Sequence, residues 1–198
     1  MDIVSALGLS SASGLNAYVP MLILGLLDRY TSYIDLPAAW QWLSNPWMLG
    51  IVTILLAVEI VADKIPALDS LNDIIQTVIR PTSGGIVFSS GMSSDSPMIS
   101  GSEASFAWTP FIIGIVVALA IHVLKSLSRP VANVTTAGFA APVLSAGEDV
   151  TSIGLSLVAV FIPALVIVIL VAFVGFIGYV FYRARTMRLA RVDYQVGG

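Results

Sequence analysis

Glu59 stands in an otherwise uncharged apolar run, Trp47 to Ala62, and Asp63 follows one helical turn later on the same face. A carboxylate placed in hydrocarbon costs at least about 2.5 kcal/mol, so it must turn towards protein or water. Two chemistries suit Glu59: an exchangeable proton or cation site, or a structural pair with a basic neighbour such as Lys64. For Asp63 the structural role is the simpler one. Downstream, ALDSLNDIIQTVIR sets Asp69, Asp73, Gln76 and Arg80 at steps of four, three and four, with Leu68, Leu71, Ile75, Val78 and Ile79 largely opposite. That periodicity predicts an amphipathic helix on the cytoplasmic surface or against a bundle, its polar stripe solvated. Two carboxylates four residues apart can touch a divalent cation, but the stripe supplies no third ligand.

Lys125, Arg129 and Asn133 follow a second apolar run, Phe106 to Leu124, whose one ionisable group is His122. Cations at a membrane boundary bind lipid phosphates or simply fix topology. His122 reads as an interior histidine satisfied by its neighbours, and Pro130 predicts a turn at Arg129. Glu148 and Asp149 form a further acidic pair. The topology derived below puts that pair outside and Asp69 with Asp73 inside, which argues against one shared metal site. The sequence contains no P-loop, HExxH or GxSxG motif and no cysteine, and nothing in the spacing around its single histidine suggests a hydrolase. No basic and aromatic residues interleave as nucleic-acid binding requires. The expectation is therefore no enzyme, no metal, no cofactor and no nucleic-acid partner.

The elements that must hold these residues follow from composition. The 198 residues are 57% hydrophobic and 11% charged, where soluble domains carry roughly 25% charged residues. Lipid must therefore solvate much of the exterior. A span needs about 20 mostly apolar residues, and four stretches supply them: Ile3 to Leu27, Trp47 to Ala62, Phe106 to Leu124 and Val150 to Tyr182, the last with a kink at Pro163. The first lacks a basic start and is taken as a mature span, not a signal peptide. Residues 81–94 and 131–147 are short, rich in small side chains, and suited to broken or re-entrant helices. The fold class expected is an all-α polytopic bundle of about six passages. With both termini inside, eight of the nine basic residues fall on the cytoplasmic side and Arg29 outside. Residues 1–182 form the transmembrane domain and 183–198 a basic tail. Tyr30, Tyr33, Trp40, Trp42 and Trp47 suit the headgroup layer outside. Ser13-Gly14, Thr82 to Gly85 and Thr136 to Gly138 open three passages alike, which suggests three helical hairpins repeated in one orientation, or merely close packing.

Three blocks, SGLNAYVPMLILGLLDR with Asn16, ADKIPALDSLNDIIQTVIRP, and KSLSRPVANVTTAGFAAPVLSAGEDV, resemble the landmarks of a bacterial integral-membrane family known as domain of unknown function, number 4126. The resemblance runs from Gly8 to about Val171. Its middle block matches at Asp63, Lys64, Pro66, Asp69, Asp73, Arg80 and Pro81, and its last at Lys125, Arg129, Asn133, Ser145, Glu148 and Asp149. The link SSGMSSDSPMISGSEAS is longer and more polar than that pattern, and the small-residue run after Arg80-Pro81 is looser. The resemblance implies a bacterial plasma membrane and one multi-span domain, and no activity. The function expected is a small transporter or channel for an ion or small solute. A scaffold or accessory subunit, and a lipid-phosphate-handling protein gripping headgroups through Arg80, Lys125 and Arg129, are the alternatives. Membrane lipids and a second copy of the chain are the partners expected.

Overall fold

The computed structural model describes residues 1–92, 108–136, 140–173 and 175, with backbone alone at 66–70, 128–136 and 140–141. It is helical throughout, with no strand among the described residues. The helices are α1 (Ile3–Leu15), α2 (Tyr18–Tyr30), a 3-10 segment (Ala38–Ser44), α3 (Pro46–Ala62), α4 (Pro66–Gly91), α5 (Trp108–Thr136), α6 (Ala140–Phe161) and α7 (Pro163–Phe173). Local chemistry sets several ends. Asp2 caps α1 by accepting from the Ser5 amide at 2.8 Å, and Asn45 caps α3 ahead of Pro46 in the first turn.

The helix α1 occupies the middle of the bundle because it is built from small residues: Ala6, Gly8, Ser10, Ser11, Ala12, Ser13 and Gly14 are all buried. It runs against α4 in the opposite direction, Ala6 beside Gly91 and Ser13 beside Ser83. It runs alongside α5 in the same direction, with Ser10 donating to the Gly114 carbonyl at 2.7 Å and Gly14 against Ala118. Where α4 crosses α5, Gly84 and Gly114 bring the two backbones into contact. A Cβ on Gly114 would strike the Gly84 carbonyl.

The stretch expected as a first span is instead a hairpin. α1 stops at Leu15, Asn16 takes an extended conformation (φ −142°, ψ 121°), and α2 returns. Its Gly25 packs on Leu43 and Leu49, and Tyr33 just beyond it meets Phe161, whose neighbour Ala159 touches Gly8 near the start of α1. A continuous helix would carry Tyr30 about 20 Å past the break, away from all of these. Met1 therefore lies at the end of the bundle opposite Lys64 and Lys125, where the sequence placed it on their side.

Further boundaries shift for related reasons. The amphipathic stretch and segment 81–94 are not separate: α4 runs unbroken through Pro81 to Gly91. Pro130 likewise sits within α5, so no turn forms at Arg129, and segment 131–147 is divided between the end of α5 and the start of α6. A proline's fixed φ fits a helix, and packing against neighbours offsets its lost N–H bond. Pro163 marks a reversal: Val143, Leu144 and Gly147 of α6 share a cavity with Ile169, Leu170 and Phe173 of α7, which a mere kink would leave more than about 30 Å apart. The first two small-residue motifs do not share one orientation, because α1 and α4 are antiparallel, and the third lies largely outside the described residues. Trp40 leaves the expected headgroup belt for the core, 6% exposed and stacked on Phe111 at 6.2 Å, whereas Trp47 is 84% exposed.

On α3 and α4 large apolar side chains face outward while charged and polar ones face inward. Ile51, Ile54, Leu55, Val58 and Val61 on α3 and Leu71, Ile74, Ile75 and Val78 on α4 point outward. Glu59, Gln76 and Arg80 on the same helices are buried. Gln76 and Arg80 of the stripe expected to be solvated thus face the protein. Among the described residues, Trp108–Leu127 and Pro142–Phe161 are long and apolar enough to cross a membrane. The 3-10 segment and α3, bent by 66°, make a third if taken as one span. The expected six-span bundle reduces to that coarser statement, and the tail from residue 176 lies outside the described residues.

Candidate functional site

The tip of the α1–α2 hairpin ends among buried charges. Breaking a helix strands carbonyls and amides that must find other partners. Asn16 Oδ1 accepts from the Tyr18 and Val19 amides at 3.1 and 3.2 Å. The Leu15 carbonyl accepts from Lys125 Nζ at 2.9 Å, and the Ala17 carbonyl from Ser83 Oγ. The Ala12 carbonyl accepts from Ser152 Oγ at 3.0 Å. Each of α4, α5 and α6 thus contributes at least one side chain to hold the tip.

Around it stands an ion-pair network. Arg80, fully buried, donates from Nη2 to Glu59 Oε1 at 2.9 Å and lies 3.7 Å from Asp63 Oδ2. Its Nη1 meets His122 Nδ1 at 3.2 Å and Asp73 Oδ1 at 4.0 Å. Thr77 Oγ1 reaches His122 Nε2 at 3.1 Å. Lys125 Nζ lies 2.8 Å from Glu148 Oε2 and 3.7 Å from Asp63 Oδ2, so Asp63 bridges both cations. Asn72 Nδ2 donates to the other oxygen of Asp63. Asn16 Nδ2 donates to Asp149 Oδ1 at 2.9 Å, and half-exposed Lys64 stands 4.0 Å from Asp149 Oδ2. Five carboxylates therefore surround three cations.

Most residues singled out by type and spacing converge here: Asn16, Glu59, Asp63, Lys64, Asp73, Arg80, Lys125, Glu148 and Asp149. Asp69 lies on α4 and Arg129 and Asn133 on α5; their side chains fall outside the described residues. Glu59 pairs with Arg80 and not with Lys64. Glu148 and Asp149, expected on the far side from Asp73, join the same cluster, because α6 begins ten or so residues before the place where the last span was expected. His122 is the satisfied interior histidine expected, with the side chains of Thr77 and Arg80 among its partners. Tyr18 and Thr77 enter the site unannounced, and Gln76, read as part of a solvated stripe, is buried in it. Tyr18 sits beside Gln76 and within the field of Glu59 and Arg80; its only sequence signal was adjacency to Asn16.

Two features show what the arrangement can do. Glu59 Oε2, Arg80 Nε and Gln76 Oε1 are buried with no hydrogen-bond partner among the described residues. Orphaned groups of this kind cost about 1–3 kcal/mol each, a reserve for a polar guest. Beside the tip, a cavity of about 350 Å³ is lined by Ser11, Leu15, Ile121, Glu148, Leu155 and Phe173 among others. No cluster of three or more His, Cys, Asp or Glu with metal-holding geometry exists among the described residues.

A family model matches residues 3–183, nearly the whole chain. The chain belongs to the family described as Domain of unknown function (DUF4126). No curated protein and no solved structure matches it. Family membership thus confirms the resemblance, and the three blocks supply much of the buried network: the first the tip, the second Asp63 and Arg80, the third Lys125, Glu148 and Asp149, with Glu59 and His122 lying just ahead of the second and third.

Proposed function

We propose that this protein is a membrane-embedded transporter or channel for an ion or small solute, with the hairpin tip and its ion-pair network as the site. The observation that carries the reading is the meeting of an interrupted helix with buried, mutually compensating charges, Leu15 O and Asn16 against Lys125 and Asp149. Irregular backbone at membrane depth survives only where protein or a wet cavity covers it, and such breaks surround the sites of transporters. A pure scaffold has no need of buried charge that costs several kcal/mol per ion to desolvate. A headgroup-binding role finds less support, because Arg80 and Lys125 already face carboxylates.

In this reading α3, α4, α5, α6 and α7 cross the bilayer and the α1–α2 hairpin dips in from one face. Lys64, Lys125 and Arg129 mark the opposite end, which the positive-inside rule assigns to the cytoplasm of a bacterial plasma membrane. Met1 is then outside, and the tail after α7 inside. Lipid covers the outward leucines, isoleucines and valines, and a second copy of the chain is the other partner that such faces suit.

The test is flux in proteoliposomes, read with entrapped pH-, potential- and cation-sensitive dyes. Wild-type protein should conduct above empty vesicles, and Glu59→Gln should change the rate at least several-fold. Equal flux with and without protein for protons, alkali cations and small anions removes the transport reading. Unchanged flux in Glu59→Gln removes Glu59 from the path.

A further inference from the structure

Three polar atoms of the network, Glu59 Oε2, Gln76 Oε1 and Arg80 Nε, are buried and accept or donate no hydrogen bond among the described residues. Glu59 and Gln76 are 2% exposed and Arg80 is fully buried, so bulk solvent does not reach them. They belong to one place. Arg80 Nη2 and Glu59 Oε1 are 2.9 Å apart, and Nε and Oε2 each lie two covalent bonds from that contact. Gln76 stands one turn before Arg80 on the same face of α4. Tyr18 of α2, also buried, sits beside Gln76 and within the field of both Glu59 and Arg80. The three atoms do not satisfy one another. Arg80 meets the carboxylate through Nη2, and the bidentate pairing that would engage Nε with Oε2 is not made. Glu59 Oε2 and Gln76 Oε1 are both acceptors, and two acceptors repel.

These atoms set the chemistry of a guest. It must donate to a carboxylate oxygen and to an amide oxygen, and accept from a guanidinium N–H. Glu59 Oε2 repels an anion, and Arg80 Nε repels a metal cation. The guest is therefore neutral, and burial of every group that would hold it keeps it small. Water is the smallest neutral molecule that both donates two hydrogen bonds and accepts. Buried waters typically make about three hydrogen bonds to polar groups that the fold leaves unmatched. Water also serves Gln76 in either orientation of the amide, because it accepts as readily as it donates. We propose that a resident water molecule bridges Glu59 Oε2, Gln76 Oε1 and Arg80 Nε and belongs to the folded chain. It divides the Glu59 carboxylate between two tasks: Oε1 holds the guanidinium, and Oε2 faces an exchangeable molecule. The site does not depend on the transport reading.

The experiment uses the full-length chain in detergent micelles, isotope-labelled and deuterated, in ordinary water. The Nε–H resonance of Arg80 is assigned through bonds from its own backbone. Its magnetisation transfer with water is then read by NMR in the laboratory frame and in the rotating frame. A water held in the site gives cross-peaks of opposite sign in the two frames, whereas proton exchange gives the same sign in both. Wild type should show the opposite-sign pair. Gln76→Met, which keeps the reach of the side chain and removes the acceptor, should weaken that cross-peak several-fold. Thr82→Val, on the exposed face of α4, should leave it at full strength. The proposal is overturned if the wild-type Nε–H shows no transfer with water or exchange alone, and the wild-type spectrum decides this even where a variant does not fold. A folded Gln76→Met with an undiminished cross-peak also overturns it. The water signature in a protein that gives no flux in vesicles removes transport and leaves the site. Flux from a protein without the signature does the reverse.

Discussion

Removing the Arg80 guanidinium should be among the most damaging single changes in this chain. Arg80 touches Glu59 at 2.9 Å and Asp63 at 3.7 Å. At an effective dielectric constant of about 20, those contacts are worth roughly 6 and 4 kcal/mol of attraction. Desolvating three ions takes back most of that, so the network as a whole adds little to stability. Removing one member is another matter. Arg80→Met leaves Glu59 buried without the guanidinium that it contacts and takes one cation from Asp63, an outcome that typically costs about 3–5 kcal/mol. For a chain of this length each kcal/mol moves the midpoint by about 2–4 °C, so the unfolding temperature should fall by roughly 6–20 °C. Neutralising the orphan should restore most of it: Glu59→Gln with Arg80→Met should lie well above the sum of the single losses. Thermal unfolding in one detergent, followed by size-exclusion fluorescence across the double-mutant cycle, measures both quantities. Arg80→Met within about 1 kcal/mol of wild type, or a double variant at the simple sum, would refute the view that these charges form one interdependent buried unit.

Other consequences are sharper in geometry than in energy. Asn16→Ala frees the Tyr18 and Val19 amides and breaks the bond to Asp149, so it should lower stability by about 1–3 kcal/mol and alter any flux, while Asn16→Asp keeps the cap but sets a second carboxylate against Asp149. Gly114→Ala should disrupt packing more than Gly154→Ala, since a Cβ at the first meets the Gly84 backbone and at the second meets nothing within 4 Å; protein yield and unfolding temperature compare the two. The chain has no native cysteine, so single cysteines report topology cleanly: membrane-impermeant maleimide on intact cells should label positions 2 and 32 alike and spare 64, and labelling of 64 with neither of the others reverses the orientation. Asp2 is held below its ordinary value of 3.8, chiefly by the Ser5 amide that it caps. Its depressed folded value means that its contribution is present above pH 4 or so and lost as pH falls through the folded value; amide exchange in the first turn of α1 should quicken there, and Asp2→Asn should flatten that dependence.

The helical class and most members of the buried network were legible from residue types. A chain so poor in charge has to place the few it retains, and Glu59, Arg80, Lys125 and Glu148 stood out because each sits in or beside an apolar run. Local periodicity also marked α3 and the body of α5. What the sequence left open was direction. Hydropathy is blind to whether Ile3 to Leu27 crosses or doubles back, because the turn at Asn16 and Ala17 carries no charge and no proline; its polar groups are satisfied by Lys125, Ser83 and Ser152, which are far away in the chain. Pro81, Pro130 and Pro163 are one residue type with two outcomes, continuation in α4 and α5 and reversal before α7. The pairings of Glu59 with Arg80 and Lys125 with Glu148 follow from tertiary packing. Composition determined that buried charges must find partners; only the crossing of α1 with α4, α5 and α6 determined which, since opposite charges choose by distance and distance is a property of the folded chain.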